Sequence, residues 1–160
     1  RLHRPSGGAQ GAGAALLERT LMTLNDDLLA QLLAASLAAR GFSHSPYSGY
    51  AVGAAVLDEQ GRIHKGANIE NAAYPQGWCA EASALTAMVM AGGKQARAVL
   101  VTGPGPEVIT PCGGCRQKLR EFALPEELLV IAGDPGGIRA QWYLSELLPH
   151  SFGPEHLKTS

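Results

Sequence analysis

The sequence predicts an α/β fold: a mixed five-stranded sheet with helices on its faces. Two observations predict it. Apolar runs of strand length alternate along the chain with stretches of helical periodicity. The connections also differ in kind, two being so short that they force antiparallel hairpins while the others have room for a helix. No internal repeat is evident.

In residues 25–40, Leu28, Leu29, Leu32, Leu33 and Leu37 recur at helical spacing, with Thr23 or Asn25 as cap and Gly41 just past the end. Residues 41–49, with Pro46 and several serines, read as loop. Residues 50–57 and 62–67 read as strands joined by a turn at 58–61, hence a hairpin. Residues 68–78 are polar and aromatic without a period, a loop expected to carry function, although Trp78, like Trp142, reads as core. Residues 80–91, rich in Ala, Leu and Met, form a helix stopped at Gly92 and Gly93. A buried strand follows at 96–102, then a Gly/Pro loop up to Pro106, and a short helix at 112–122 whose entry Pro111 sets. Strands are expected at 128–132 and 138–143, antiparallel because the few residues between them cannot cross over, and a short helix at 145–148 ends at Pro149.

A chain of 160 residues fits one domain. With 46% hydrophobic and 17% charged residues it has an ordinary globular composition. Its formal charge of -1 and the lack of a Lys/Arg cluster argue against a nucleic-acid partner, since neutralising a phosphate backbone takes clustered cations. The longest apolar stretches fall short of the roughly 20 residues of a membrane span. Arg1 and Arg4 precede an apolar run at 12–17, but Glu18 and Arg19 end it too early for a secretory signal. Residues 1–21 therefore read as a leader or appended segment, and 22–160 as a single domain. The three cysteines are an odd number, so a purely disulfide framework would leave one unpaired, and without a recognisable secretory signal the reducing cytoplasm is the expected compartment.

The informative segments are Trp78-Cys79-Ala80-Glu81 and the stretch from Thr110 through Pro111, Cys112, Gly113, Gly114, Cys115 and Arg116 to Gln117, each opening a predicted helix. A helix N-terminus offers free N–H groups and partial positive charge, which favour the thiolate form that metals bind. Cys112 and Cys115 place two sulfurs on one turn, and Cys79 can supply a third from a facing helix start. Three sulfurs around Zn²⁺ leave one position open, the pattern of a catalytic rather than a structural site, and the five histidines lie outside both motifs. Glu81, two residues after one ligand, stands where a carboxylate can take a proton from a polarised water. Taken singly these features have ordinary explanations: a C-x-x-C can be a redox pair, a lone cysteine a small buried hydrophobe, a first-turn Glu a dipole partner. Jointly, at these offsets, they are hard to dismiss.

A ligand-x-Glu element followed by Pro-Cys-x-x-Cys is the mark of zinc deaminases. Beside it stand Pro46-Tyr47-Ser48, Val52-Gly53-Ala54-Ala55, Asn68-Ile69-Glu70-Asn71-Ala72, Tyr74-Pro75, Glu146-Leu147-Leu148-Pro149 and Ser151-Phe152-Gly153-Pro154. With these pieces the sequence closely resembles cytidine deaminases of the small, homotetrameric, three-cysteine type over residues 46–157.

The resemblance implies a three-layer α/β/α domain, one Zn²⁺ per chain on Cys79, Cys112 and Cys115, and hydrolytic replacement of the C4 amino group of a free pyrimidine nucleoside, with Glu81 moving the protons. It implies that Asn68 and Glu70 grip the ribose 3'-hydroxyl, an amide and a carboxylate suiting a group that both donates and accepts. Ala72 and Tyr74 match positions that reach the 5'-hydroxyl of a substrate in a neighbouring subunit. The Ala80 N–H and the Thr110 carbonyl match readers of the base edge, and Tyr50 and Phe152 match aromatic walls, Phe152 across a subunit boundary.

Two departures stand out. Similar enzymes usually carry Arg directly after the catalytic Glu, offsetting thiolate charge; here that place is Ala82, which leaves Arg116 and the helix termini to compensate. Tyr50 stands where Phe is commoner. Three other readings stay open: a deaminase for another aminopyrimidine, separated by rates on analogues; a non-catalytic zinc module, marked by a fourth protein ligand; and a polynucleotide editor, marked by salt-sensitive nucleic-acid binding.

Overall fold

The computed structural model describes residues 24–157. The expected leader at 1–21 lies outside the described residues. In chain order the elements are α1 (Asp26–Arg40), β1 (Gly53–Asp58), β2 (Ile63–Ala67), a 3-10 turn (Tyr74–Gln76), α2 (Ala80–Met90), β3 (Ala96–Thr102), α3 (Gly113–Glu121), β4 (Leu129–Asp134), β5 (Gly137–Tyr143), α4 (Leu144–Leu147) and a closing 3-10 turn (Pro154–Leu157).

The five strands form one sheet in the order β2-β1-β3-β4-β5. Only β3 and β4 are parallel, and α3 lies in the connection between them. The other pairs are antiparallel, including both expected hairpins. This is the mixed sheet that the connection lengths imply.

Side chains alternate between the sheet's faces, and the core divides accordingly. Ala55, Leu57, Ala98, Leu100 and Ile131 pack against Leu32 and its neighbours on α1. Ala54, Val56, Val99, Val101 and Val130 pack on the opposite face with Ala80, Ala84, Leu85 and Met88 of α2 and Leu119 of α3. The result is three layers. Every residue of β1 is buried, which is why its sequence shows a continuous apolar run instead of alternation.

α1 starts where Asn25 accepts a hydrogen bond from the Leu28 N–H at 2.8 Å. At the other end of the hairpin's first strand a buried charge cluster forms. Asp58 accepts from Arg62 Nε and pairs with His64 Nε2, both at 2.8 Å, and also takes the Gln60 and Arg62 backbone N–H groups. Burial alone would push the Asp58 carboxyl up, but the hydrogen bonds from His64, Arg62 and Gln60 overcome it and hold it well below the usual carboxylate range.

Two sequence expectations are corrected. The first strand begins at Gly53, not Tyr50, because the side chain of Asn68 occupies the backbone groups of residues 50–52 that a strand partner would otherwise take. Trp78 is not core. It is 46% exposed, because the backbone exchanges two hydrogen bonds between Ile69 and Trp78, each 2.8 Å, which hold the indole at the surface. Trp142 is half-buried on β5, an edge strand covered less completely than the centre.

Candidate active site

Register brings the site together. Gly53 pairs with Ala67 on one side and Thr102 on the other, so the start of β1 and the ends of β2 and β3 open at one edge of the sheet. The segments leaving that edge carry Tyr50, Asn68 and Thr110. α2 is drawn close by Gly66, where an added Cβ would sit 2.3 Å from the Ala84 nitrogen and 2.4 Å from the Ala80 oxygen. Only a residue without a side chain lets this helix lie so near β2.

Cys79 and Cys112 are the N-cap residues of α2 and α3, both in extended backbone conformation, and Cys115 lies in the first turn of α3. The helix starts face each other. Cys79 Sγ is 3.8 Å from Cys112 Sγ, and all three sulfurs lie within 4.8 Å of one another. Cys115 is buried, Cys79 half-buried and Cys112 exposed. The hydrogen bond from Cys115 pulls the Cys79 thiol down to about 6, against burial and the Glu81 charge and with help from Cys112 and Lys118. The same contact, with burial and the nearby negative charges, pushes the Cys115 thiol far up. Three convergent sulfurs, one readily ionised, suit a borderline-soft divalent cation, and they fit one Zn²⁺ per chain.

Glu81 is 4% exposed and accepts from the Cys115 thiol at 3.4 Å. Burial pushes its carboxyl up, opposed by its own backbone N–H, the Cys115 thiol and the Lys118 charge. A carboxyl so placed can exchange protons at a pH where an exposed one stays ionised.

A cavity of about 290 Å³ opens beside these groups. Tyr50, Asn68, Cys79, Ala80, Glu81, Thr110 and Cys112 line it, so seven of the expected site residues converge. Val52, Val101 and Ile109 complete its wall and were not singled out from the sequence as site residues. Their signal was available only as apolar residues at strand and loop ends, where ligands collect in α/β sheets.

Asn68 is already at work within the chain. Its Oδ1 accepts from the Val52 N–H at 2.8 Å and from the Ser43 hydroxyl, and its Nδ2 donates to the Tyr50 carbonyl at 2.9 Å. Glu70 lies in a neighbouring depression of about 340 Å³, shared with Tyr47, Ser48, Asn71, Tyr74 and Gly77. Its carboxylate accepts from the Tyr47 and Ser48 backbone N–H groups and from the Ser48 hydroxyl, and the Ser48 hydroxyl first, then the Tyr47 N–H, hold its pKa low.

Ala72, Tyr74 and Phe152 do not line the 290 Å³ cavity of their own chain. All three are exposed, Phe152 with its ring stacked on His156 at 5.0 Å. Arg116 donates to the carbonyls of Pro111 (2.8 Å) and Leu147 (2.7 Å) and to the Thr110 hydroxyl (2.9 Å), so it braces the loop that enters α3. Lys118, read from the sequence only as a helix residue, stands with its Nζ 5.5 Å from the centre of the Trp78 ring.

A trio of metal-binding sulfurs beside a buried carboxyl, opening on a cavity with apolar walls and a few polar groups, is the layout of a hydrolytic metalloenzyme. Comparison with known proteins narrows the class. Residues 26–131 match the family model described as cytidine and deoxycytidylate deaminase zinc-binding region. The cytidine deaminase of Sporosarcina psychrophila is 38% identical over 130 residues, covering 79% of this chain and 93% of that one. The crystal structure of cytidine deaminase from Burkholderia pseudomallei superposes with a TM-score of 0.71 at 36% identity, covering 77% of this chain and 98% of that one. That of the Mycobacterium tuberculosis enzyme superposes at 0.67, also at 36% identity, over 78% and 96%. The chain belongs to the cytidine deaminase family of zinc-dependent hydrolytic deaminases.

Proposed function

We propose that the chain converts cytidine and deoxycytidine to uridine and deoxyuridine with release of ammonia, a pyrimidine salvage reaction. The observation that carries this reading is the convergence of Cys79, Cys112, Ala80, Thr110 and Glu81 on one cavity. When bound, Zn²⁺ supplies Lewis acidity that makes water nucleophilic near neutral pH.

The residues do the rest. Cys79, Cys112 and Cys115 hold the metal. Tyr50, Val52, Val101 and Ile109 flank the pyrimidine and keep bulk water from the ring. The Ala80 N–H, at a helix start where amides lack intrahelical partners, and the Thr110 carbonyl read the base edge. Glu81 takes a proton from the water and places it on N3, then carries the second to the departing amino group. The water oxygen becomes O4 as the C4–N bond breaks, so water's two protons end on N3 and on ammonia. Glu70, held as the carboxylate, accepts from the ribose 3'-hydroxyl, and the remaining N–H of Asn68 Nδ2 donates to it. Arg116 contributes positive charge at the start of α3.

Ala72, Tyr74 and Phe152 act on substrates bound in neighbouring subunits of a homotetramer. What supports this is their exposure, 74% for Tyr74 and 57% for Phe152. The cytoplasm is the proposed compartment, a reading supported by the three cysteines being joined in no disulfide. Among the described residues no helix is long and apolar enough to cross a membrane.

The test is the ultraviolet loss of cytidine absorbance, run beside deoxycytidine and modified aminopyrimidine nucleosides. Turnover of cytidine and deoxycytidine is expected, with Glu81→Gln slower by about 10²–10⁴-fold and its zinc retained. Equal turnover by Glu81→Gln would overturn the assignment, and activity confined to a modified nucleoside would move it to a different aminopyrimidine.

A further inference from the structure

Three thiolates and one Zn²⁺ carry a net negative charge, and the Glu81 carboxylate lies against them. Such a site needs a cation nearby to hold the metal and keep the thiolates ionised. Arg116 is the nearest in sequence, yet its Nε and both terminal nitrogens are committed to Pro111, Leu147 and Thr110, and none of these bonds goes to a sulfur.

Lys118 is differently placed. It follows Cys115 by three residues, so its side chain lies on the same stripe of α3 and leans back toward the helix N-terminus. Its Nζ stands over the ring of Trp78, the residue preceding Cys79, and 3.8 Å from where a Gly114 Cβ would be, between Cys112 and Cys115. The ammonium therefore sits beside the turn that carries Cys112 and Cys115 and over the ring of the residue that precedes Cys79. The ion pairs of the described residues occupy Arg62, Arg120, Arg139, His64 and His156; Lys118 is in none of them. Ala82 lines the same groove as Lys118 and Trp78, and its methyl group brings no charge there. The groove's carboxylate, Glu121, is exposed to solvent.

We propose that Lys118 is a positioning residue for the metal centre, its ammonium balancing the surplus negative charge of the three sulfurs while Trp78 holds it in place. The indole face adds a cation–π attraction that fixes the long side chain without neutralising it.

This inference rests on the zinc reading of the site, and its test separates the two. Zinc content and the rate of zinc transfer to a chromogenic chelator are measured for the parent, Lys118→Met and Lys118→Arg in low salt and in about 1 M salt. The parent is expected to hold one zinc per chain; a parent without zinc would end the zinc reading itself. Lys118→Met is expected to lose zinc about tenfold faster at low salt, the size of a partly screened charge interaction, with kcat/KM lowered alongside. Lys118→Arg stays near the parent, and the gap to Lys118→Met narrows in high salt. Loss from Lys118→Met within twofold of the parent, or a gap that salt leaves unchanged, overturns the inference while leaving the zinc reading intact.

Discussion

Gly66→Ala tests whether the packing of α2 on β2 sets the geometry of the site. The new Cβ would lie 2.3 Å from the Ala84 nitrogen and 2.4 Å from the Ala80 oxygen, whereas ordinary contact begins at 3.4 Å. Both atoms are backbone, the two ends of one helical hydrogen bond, so neither can swing aside as a side chain tip would. Strand and helix must part by about 1 Å, and overpacking of this kind costs about 1–3 kcal/mol. The turn displaced holds Ala80 and Glu81, and an error of about 1 Å at reacting groups can cost about 10²-fold in rate. Urea unfolding and kcat/KM on cytidine are therefore both expected to fall, by these amounts. Gly61→Ala is the control. Gly61 has φ of 79° but open space around it, so the change costs about 1 kcal/mol of backbone strain and leaves kcat/KM unchanged. A Gly66→Ala protein with unaltered kcat/KM would refute the claim that this close approach positions the catalytic turn.

Two further outcomes follow from polar groups. Asp58 has a folded-state pKa below its ordinary value, so its contribution to stability is fully present above that value and is lost as pH falls through it toward the folded one. Urea midpoints should decline below about pH 4, and Asp58→Asn should be less stable at neutral pH with a shallower acid decline; an unchanged slope would remove Asp58 as a cause. Arg116→Ala deletes the hydrogen bonds to Pro111, Leu147 and Thr110 and should cost roughly 3 kcal/mol in urea unfolding, with kcat/KM and zinc affinity reduced as the loop loosens. Wild-type stability and activity in this variant would show that the brace is dispensable.

How much of this was legible depended on how local each signal is. The metal ligands and Glu81 are set by spacing within two helix starts, so four residues read from sequence fall together in space. The strands read well because their faces are buried and their connections short. The start of β1 did not, since the apolar character of residues 50–52 hides the fact that Asn68, 16 residues after Val52, takes the ladder's place. Trp78 looked like core because a large aromatic usually is; the pairing of Ile69 with Trp78 that exposes it is invisible to local periodicity. Lys118 escaped notice because its place over the Trp78 ring exists only once α2 and α3 present their starts to each other. The charge cluster at Asp58 was hidden inside what reads as an ordinary turn.

Asn25 begins α1 with a side-chain oxygen that takes the otherwise unpartnered Leu28 amide. Cys79 and Cys112 occupy the equivalent place on α2 and α3, and neither gives its helix such a bond. Each thiol is promised elsewhere. An ion held by these sulfurs would tie the first turns of both helices to one point, so its loss should loosen the two helix starts together.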